Sequence, residues 1–276
     1  MGRLVWIASY PKSGSTWLRA FLHNYIREPD RPYAINRLMD LTTGESGASL
    51  YQGHDPRPAS RYTIAEVQRL RPRVHHDLAA LAPGPVFVKT HNAALTVAGV
   101  RMVTPAVTAA AIYLLRDPRD VAVSYSRHLA LPIDRVIAFM ADPEAALGGT
   151  DHEVYQPLST WSAHAESWLG LAGAPVHLLR YEDMAETPAI AFGGVVRFLG
   201  GEPAQTRLER AIGFSAFAEL QAQERREGFI ERPALASGAF FGAGRAGRWR
   251  EVLSSAQRRR IERDHAPLMA RFGYLG

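Results

Sequence analysis

The residues with the clearest chemical potential lie near the N-terminus, in the segment YPKSGSTW that begins at Tyr10. An apolar run that predicts a buried strand precedes it, and a helical pattern follows it at once. At such a junction, loop N–H groups and the positive end of the helix dipole can stabilise an anion. The residues concerned are Lys12, Ser13, Gly14, Ser15 and Thr16. A phosphate-binding loop is one interpretation, and an ordinary turn is the other.

A second candidate is the segment VFVKTH, Val86–His91, which predicts a buried strand with polar residues at its carboxyl end. Lys89 and His91 stand two residues apart and therefore on one face of that strand. Because an imidazole accepts a proton near neutral pH, His91 is a candidate general base. Lys89 is a candidate for neutralising negative charge that develops on a reacting group. A structural histidine at a strand end is the alternative interpretation.

The segment LLRDPRDVAVSYSRH, Leu114–His128, repeats the plan of strand, turn and helix. Its Asp-Pro pair is typical of a helix start, where the missing N–H of proline costs nothing. Arg116 comes at the end of the strand, and its guanidinium suits a bidentate contact with a phosphate. An ordinary connection between a strand and a helix explains the Asp-Pro pair but not the whole segment.

The composition predicts a cytoplasmic enzyme with a single domain over residues 1–276. The chain is 47% hydrophobic and 21% charged, which is typical of a globular protein with a core. The absence of cysteine excludes disulfides, cysteine-ligated zinc and thiolate catalysis. No stretch approaches the ~18 apolar residues that a membrane span needs, and the N-terminus lacks the apolar region of a signal peptide.

The net charge of +5 comes mostly from arginine, because Lys12 and Lys89 are the only lysines. The arginines are interspersed with acidic residues rather than clustered with aromatic ones, which favours solvated helix faces over a nucleic-acid surface. A small polyanionic ligand fits the charge with fewer assumptions. The ten histidines show no convincing ligand spacing, so we predict no metal site. The preference for arginine over lysine also indicates a bacterial source.

Short apolar runs alternate with helical periodicity along most of the chain. The predicted strands are Leu4–Ser9, Pro85–Lys89, Ala111–Leu115 and Pro175–Leu179. The predicted helices are Ser15–Ile26, Pro118–Leu129, Leu158–Leu171, Pro188–Leu199, Gln205–Ile212 and Ser255–Phe272. This alternation predicts an α/β fold with a central parallel β-sheet flanked by helices, which binds its ligand beside the carboxyl ends of the strands.

Three segments rich in proline, glycine and polar residues interrupt the pattern: 28–82, 142–155 and 225–243. Within the first, only Thr63–Leu70 shows a modest helical pattern, and Thr63 and Glu66 are spaced as a capping box. Long irregular stretches in a compact α/β domain are typically lids or binding loops. We expect these segments to bind the substrate.

The segment YPKSGSTW resembles the phosphosulfate-binding loop of cytosolic-type sulfotransferases, whose usual sequence is YPKSGTTW. These enzymes transfer a sulfuryl group from 3′-phosphoadenosine 5′-phosphosulfate (PAPS). The resemblance implies a P-loop-like strand–loop–helix in which the loop from Lys12 to Thr16 holds the 5′-phosphosulfate. Lys12 would stabilise the bridging oxygen as it leaves, and Trp17 would stack on the adenine.

The other segments resemble the same family in the same order. The resemblance assigns the general base to His91, in the family's KTH stretch. It implies that Arg116 and Ser124 bind the 3′-phosphate and that Ser124 also contacts Lys12. It places Tyr181 of HLLRYEDM against the adenine edge and Phe217 of SAFAEL on the adenine face.

The segment FFGAGRAGRWRE departs from the family pattern FxRKGxxGDW. When Gly244, Gly247 and Trp249 are aligned, Gly242 and Ala243 stand where the family has the Arg-Lys pair that binds the 3′-phosphate. We expect Arg245 or Arg248 to replace that pair, with Gly244 and Arg245 at the donor. The stretch REVLSSAQRR, at Arg250, lacks the family's dimer motif, so no oligomeric state is predicted.

We therefore predict a PAPS-dependent sulfotransferase that acts without a metal on a hydroxyl, or less favourably an amine, of a small molecule such as a secondary metabolite. One alternative is a P-loop nucleotide kinase, which would place lysine after glycine in GxxxxGK[ST] and an acidic magnesium ligand at a strand end. The other is a non-catalytic protein that binds adenosine bisphosphate. The presence of both Lys12 and His91 disfavours it.

Overall fold

The structure is a computed structural model that describes residues 2–233, 236, 238–242 and 244–275. The chain forms two compact units. The first unit comprises Met1–Tyr10, Leu41–Tyr113 and Asp142–Leu178. The second unit comprises Pro11–Asp40, Leu114–Ala141 and Leu179–Gly276.

A five-stranded parallel sheet flanked by helices is the centre of the fold, as the sequence predicts. The strands of the described chain are β1 Leu4–Ser9, β2 Thr42–Gly44, β3 Val86–Thr90, β4 Thr96–Val97, β5 Val100–Arg101, β6 Thr108–Leu115, β7 Ala146–Leu147, β8 Gln156–Pro157 and β9 Val176–Arg180. The main sheet has the order β2-β3-β1-β6-β9, while β4-β5 and β7-β8 are small antiparallel pairs. Strands β1 and β3 pair from Leu4 opposite Val86 to Ala8 opposite Thr90.

The helices account for most of the remaining chain. They are α1 Ser15–Arg27, α2 Ala48–Gln52, α3 Ile64–Ala80, α4 Pro118–Leu129, α5 Ile133–Met140, α6 Trp161–Leu169, α7 Tyr181–Glu186, α8 Pro188–Phe198, α9 Gln205–Phe214, α10 Phe217–Glu227, α11 Trp249–Val252 and α12 Ser255–Arg271. Short 3-10 helices cover Ile35–Asp40, Ala59–Arg61 and Pro105–Val107. No helix of the described chain is long and apolar enough to cross a membrane.

The core of the first unit packs on β1, all six residues of which are buried. The Trp6 ring lies 5.0 Å from the ring of His75 on α3 and 6.2 Å from that of Trp168 on α6, measured between centroids. Its indole N–H donates to Thr108 Oγ1 at 3.0 Å, so the one polar atom of this buried side chain is satisfied. The apolar run thus behaves as a strand that is buried on both faces.

The predicted elements agree with the structure apart from their ends. Strand β1 and helix α4 have the predicted bounds, and the other strands begin or end within a few residues of them. The prediction for α6 was too long at both ends. Ser159 has a φ of 60°, which is incompatible with a helix, and Thr160 Oγ1 then caps α6 by accepting from the Ala163 N–H at 3.0 Å.

The segment 28–82 is more regular than predicted, because it contains β2, α2 and the 17-residue helix α3. The predicted capping box of Thr63 and Glu66 is present, but α3 continues past Pro72 to Ala80. Its buried face includes Arg71 and His75, and these polar side chains hid the helical apolar pattern.

Those two side chains are buried because they pair with Glu45, which follows β2. The Glu45 carboxylate accepts from Arg71 Nη1 and His75 Nε2, each at 2.9 Å, from Asn92 Nδ2 at 2.6 Å and from Thr90 Oγ1. Burial disfavours the ionised carboxylate, but Arg71 and the hydrogen bonds outweigh burial and lower the pKa of Glu45 to about 2. This network fixes Thr90 and Asn92, the residues on the two sides of His91.

Candidate functional site

The loop between β1 and α1 has the geometry of an anion site. Lys12 and Gly14 both have positive φ, 69° and 104°, and Gly14 is the N-cap of α1. Glycine has no side chain to cap that end, and the first turn has no acidic residue, so the positive end of the dipole suits an anionic ligand. Ser13 is buried, and its Oγ has no hydrogen-bond partner in the described part of the chain. A buried hydroxyl of this kind fits an anionic ligand.

Gly14 is required by its surroundings as well as by its φ. A Cβ at this position would lie 2.8 Å from Cδ2 of Tyr181 and 3.2 Å from Cε of Met184. Arg116 holds the same loop, since its Nη1 donates to the Lys12 carbonyl at 3.1 Å. The Arg116 guanidinium also stacks over the Tyr181 ring, 3.9 Å from its centroid. Lys12, Gly14, Arg116 and Tyr181 therefore meet at one place in the second unit.

The side chain of Lys12 lies between an imidazole and an aromatic ring. Its Nζ is 3.3 Å from Nδ1 of His128 and 3.8 Å from the centroid of Phe240. Because an ammonium group only donates, Nδ1 accepts and the ring hydrogen of His128 is on Nε2. His128 is one helical turn after Ser124 on α4, so this contact lies on the helix face that also holds Ser124.

The three aromatic residues expected at the adenine belong to one cluster. The Trp17 ring lies 5.6 Å from Tyr181 and 6.4 Å from Phe217, both edge to face. A purine between two parallel rings needs about 7 Å between them, twice an ordinary carbon contact. Trp17 and Phe217 are inclined by 77°, so in this structure the two rings do not form a parallel pair that could enclose a purine.

The glycine-rich segment of the second unit, described over residues 238–242 and 244–251, packs on this cluster. Gly244 has a φ of 65°, and a Cβ there would lie 2.1 Å from Cδ1 of Phe217. Asp120 on α4 fixes the segment by accepting from the N–H of Gly247 at 2.6 Å and of Trp249 at 2.9 Å. Arg245 lies at the surface, where its Nη2 donates to the Glu251 carboxylate at 2.6 and 2.7 Å. Ala243 lies outside the described residues.

The candidate base belongs to the first unit. His91 directly follows β3, and its Nδ1 lies 2.8 Å from the Ser9 carbonyl oxygen. A carbonyl only accepts, so Nδ1 carries the hydrogen and Nε2 has the lone pair that can take a proton. The His91 carbonyl in turn accepts from His164 Nε2 at 3.0 Å. Burial lowers the pKa of His164 to about 4, so this partner is neutral at pH 7.

Lys89 lies on β3, where its Cα pairs in register with Ile7 and Gly44. Within the described residues, no group of three or more histidine, aspartate or glutamate side chains is placed to hold a metal.

Several residues of the two sites were not predicted from the sequence. His128 and Phe240 contact Lys12, while Ser9, His164 and Glu45 fix the backbone around His91. The spacing of His128 four residues after Ser124 could have suggested its contact. Nothing in the sequence pairs Glu45 with a helix 26 to 30 residues away.

Comparison with known proteins identifies the family. The sequence matches the model of the sulfotransferase domain family over residues 3–273. Sulfotransferase 1A1 of the dog is 23% identical over 275 residues, which cover 95% of this chain and 82% of that protein. Flavonol 3-sulfotransferase of Flaveria bidentis is 24% identical over 281 residues, with 94% and 79% covered.

The fold is similar to that of retinol dehydratase in a complex with retinol and PAP, with a TM-score of 0.65 and 19% identity. That match covers 96% of this chain and 81% of the other. The chain belongs to the sulfotransferase domain family. It is a PAPS-dependent sulfotransferase, and the kinase and non-catalytic alternatives are not favoured.

Proposed function

We propose that the second unit binds the donor PAPS through the loop Lys12–Thr16, with the adenine at the aromatic cluster of Trp17, Tyr181 and Phe217. The observation that supports this most strongly is the open N-terminus of α1 beside the buried Ser13 hydroxyl. Arg116, directly after β6, and Ser124, in the middle of α4, bind the 3′-phosphate in this proposal. Gly244 lets the glycine-rich segment approach Phe217, and Arg245 remains a candidate contact at its surface.

When bound, the donor supplies the sulfuryl group, whose bond to the 5′-phosphate oxygen breaks as the acceptor oxygen bonds to sulfur. Lys12 stabilises the negative charge that collects on that leaving oxygen. Its contact with Nδ1 of His128 orients the ammonium group. Ser124, on the same face of α4, restrains Lys12 in this proposal, and Lys89 balances charge on the sulfuryl oxygens.

His91 accepts the proton that the acceptor hydroxyl loses. Its Nδ1–H is directed at the Ser9 carbonyl, which supports Nε2 as the basic atom. The carbonyl bond holds the ring in one tautomer throughout the reaction, so the imidazole needs no reorganisation before it takes the proton.

The acceptor in this proposal is a small molecule with a hydroxyl group. Retinol dehydratase has been seen with retinol and with androsterone, and the Flaveria relative is named for a flavonol. Within the segments expected to bind the acceptor, Met39 is 52% exposed, whereas Phe229 packs in a buried cluster with Leu38 and Phe241. Met39 is therefore the better candidate for an acceptor contact.

The test is sulfuryl transfer from PAPS to a panel of phenols, flavonols, sterols and retinoid alcohols, followed by mass spectrometry. We expect at least one sulfated product with the wild type and with His76→Gln, which changes an exposed histidine on α3. His91→Gln should abolish most of that product. Absence of any sulfated product across the panel, or equal activity of His91→Gln, would contradict the proposal.

A further inference from the structure

Arg127, in the last turn of α4, lies directly against the glycine-rich segment. A Cβ on Gly242 would be 2.3 Å from Nη1 of Arg127, and one on Gly238 would be 3.3 Å from Nη2. The guanidinium therefore occupies the space that a side chain at position 242 would need. Glycine at 242 and arginine at 127 fit one another as a pair.

A second guanidinium belongs to the same region. Arg248 stands between Gly247 and Trp249, whose N–H groups donate to Asp120, about two turns before Arg127 on α4. Burial and the nearby charge of Arg248 lower the pKa of Arg127, and Glu224 opposes that effect only in part. The Glu224 carboxylate already accepts from the N–H groups of Phe240 at 2.6 Å and Phe241 at 2.9 Å. Two arginines that repel one another in a half-buried place favour an anion that binds both.

The surroundings indicate which anion this is. Arg127 comes three residues after Ser124 and one before His128, which contacts Lys12. The segment that Arg127 contacts also packs on Lys12 through Phe240 and on Phe217 through Gly244. The two arginines thus adjoin the region assigned to the donor, which has a second phosphate besides the one at the loop Lys12–Thr16.

We propose that Arg127, together with Arg248, binds the 3′-phosphate of the donor and so selects PAPS over nucleotides with a 5′-phosphate alone. This inference rests on the proposed donor site. Arg127 reaches the phosphate from α4, and its guanidinium fills the volume that a side chain at position 242 would occupy. The arrangement explains how a chain with glycine at 242 retains a cation at this place.

The experiment is calorimetric titration with adenosine 3′,5′-bisphosphate and with AMP. Arg127→Ala should weaken binding of the bisphosphate by about tenfold to a hundredfold and leave AMP binding unchanged, as a charge-assisted contact to one phosphate would. Arg226→Ala removes an exposed arginine on α10 that pairs with Glu227, and it should change neither affinity. Arg127→Lys should retain part of the preference, because it keeps the charge without the bidentate geometry.

A double variant tests the shared space directly. Arg127→Ala with Gly242→Arg places a guanidinium in the same volume from the opposite side, and it should regain preference for the bisphosphate. A double variant that prefers it no more than Arg127→Ala does would contradict the inference. If Arg127→Ala weakens the binding of both nucleotides equally, or changes neither affinity, the role of Arg127 is overturned while the donor site stands. A wild type that binds both nucleotides equally would overturn the donor site as well.

Discussion

At the scale of single residues, the candidate site depends on which atoms are fixed before any ligand binds. His91 Nδ1 donates to the Ser9 carbonyl, and the His91 carbonyl accepts from His164 Nε2. The Lys12 ammonium is positioned by His128 and Phe240. In the proposed mechanism such preorganisation favours catalysis, because the groups need not reorient during the reaction.

Replacement of His91 by glutamine should lower kcat by roughly 10²- to 10⁴-fold, the usual contribution of a general base. Binding of adenosine 3′,5′-bisphosphate should remain unchanged, since His91 is not proposed to contact the nucleotide. Steady-state kinetics and calorimetry on the same preparation measure the two effects. A loss of nucleotide affinity as large as the loss of kcat would instead indicate a structural role.

Replacement of Phe217 by alanine should weaken the binding of adenine nucleotides by about 1–3 kcal/mol, because one stacking surface is lost. The loss should be equal for the bisphosphate and for AMP, since both contain the same base. Titrations of the two nucleotides compare the losses. A loss confined to the bisphosphate would mean that Phe217 acts on the 3′-phosphate through its contact with Gly244.

At the scale of elements, Glu45 joins the end of β2 to α3 and to the end of β3. Trp168 on α6 adds a further restraint, because its indole N–H donates to the Asn92 carbonyl at 2.8 Å. Helix α6 also supplies His164 to the His91 carbonyl. Two helices and two strands thus determine where the His91 backbone lies.

Replacement of Glu45 by glutamine should lower the free energy of unfolding by about 3–5 kcal/mol, because the buried Arg71 charge loses its partner. Denaturant unfolding followed by circular dichroism measures it. Glu144→Gln, which changes an exposed carboxylate, should have little effect and serves as the control. A Glu45 variant as stable as the control would contradict this account of the network.

The sequence predicted most of the sheet and the strand–loop–helix motifs, because their apolar runs, turns and helix starts are local signals. It failed for α3, whose buried face contains Arg71 and His75, since only the pairing with Glu45 across the chain makes these residues buried. It also missed the contact of His128 with Lys12, which joins residues 116 positions apart. The Glu45 pairs have no local pattern, and the local sign of the His128 contact is its spacing four residues after Ser124.

At the scale of the whole molecule, buried histidines in both units make the free energy of unfolding depend on pH. Burial lowers the pKa of His164 in the first unit, and of His23 and His265 in the second, to about 4. In the unfolded chain these groups titrate near 6.5. Protonation therefore favours the unfolded chain, and stability that is present above pH 6.5 is lost as the pH falls toward 4.

From pH 7 to pH 5 the free energy of unfolding should fall by about 2 kcal/mol for each of these histidines. Denaturant unfolding at several pH values measures the slope. His265→Gln should reduce it, because one of the three groups no longer titrates. A stability that is constant from pH 7 to pH 5 would contradict neutral burial of these side chains.

The most direct test of the central claim is a single turnover with PAPS, an accepted alcohol and EDTA, with ATP in place of PAPS as the comparison. We predict that adenosine 3′,5′-bisphosphate and the sulfated alcohol form in equal amounts from PAPS without a divalent metal, and that ATP gives no product. Formation of a phosphorylated alcohol from ATP, or failure to consume PAPS with any alcohol, would contradict the assignment of the donor site.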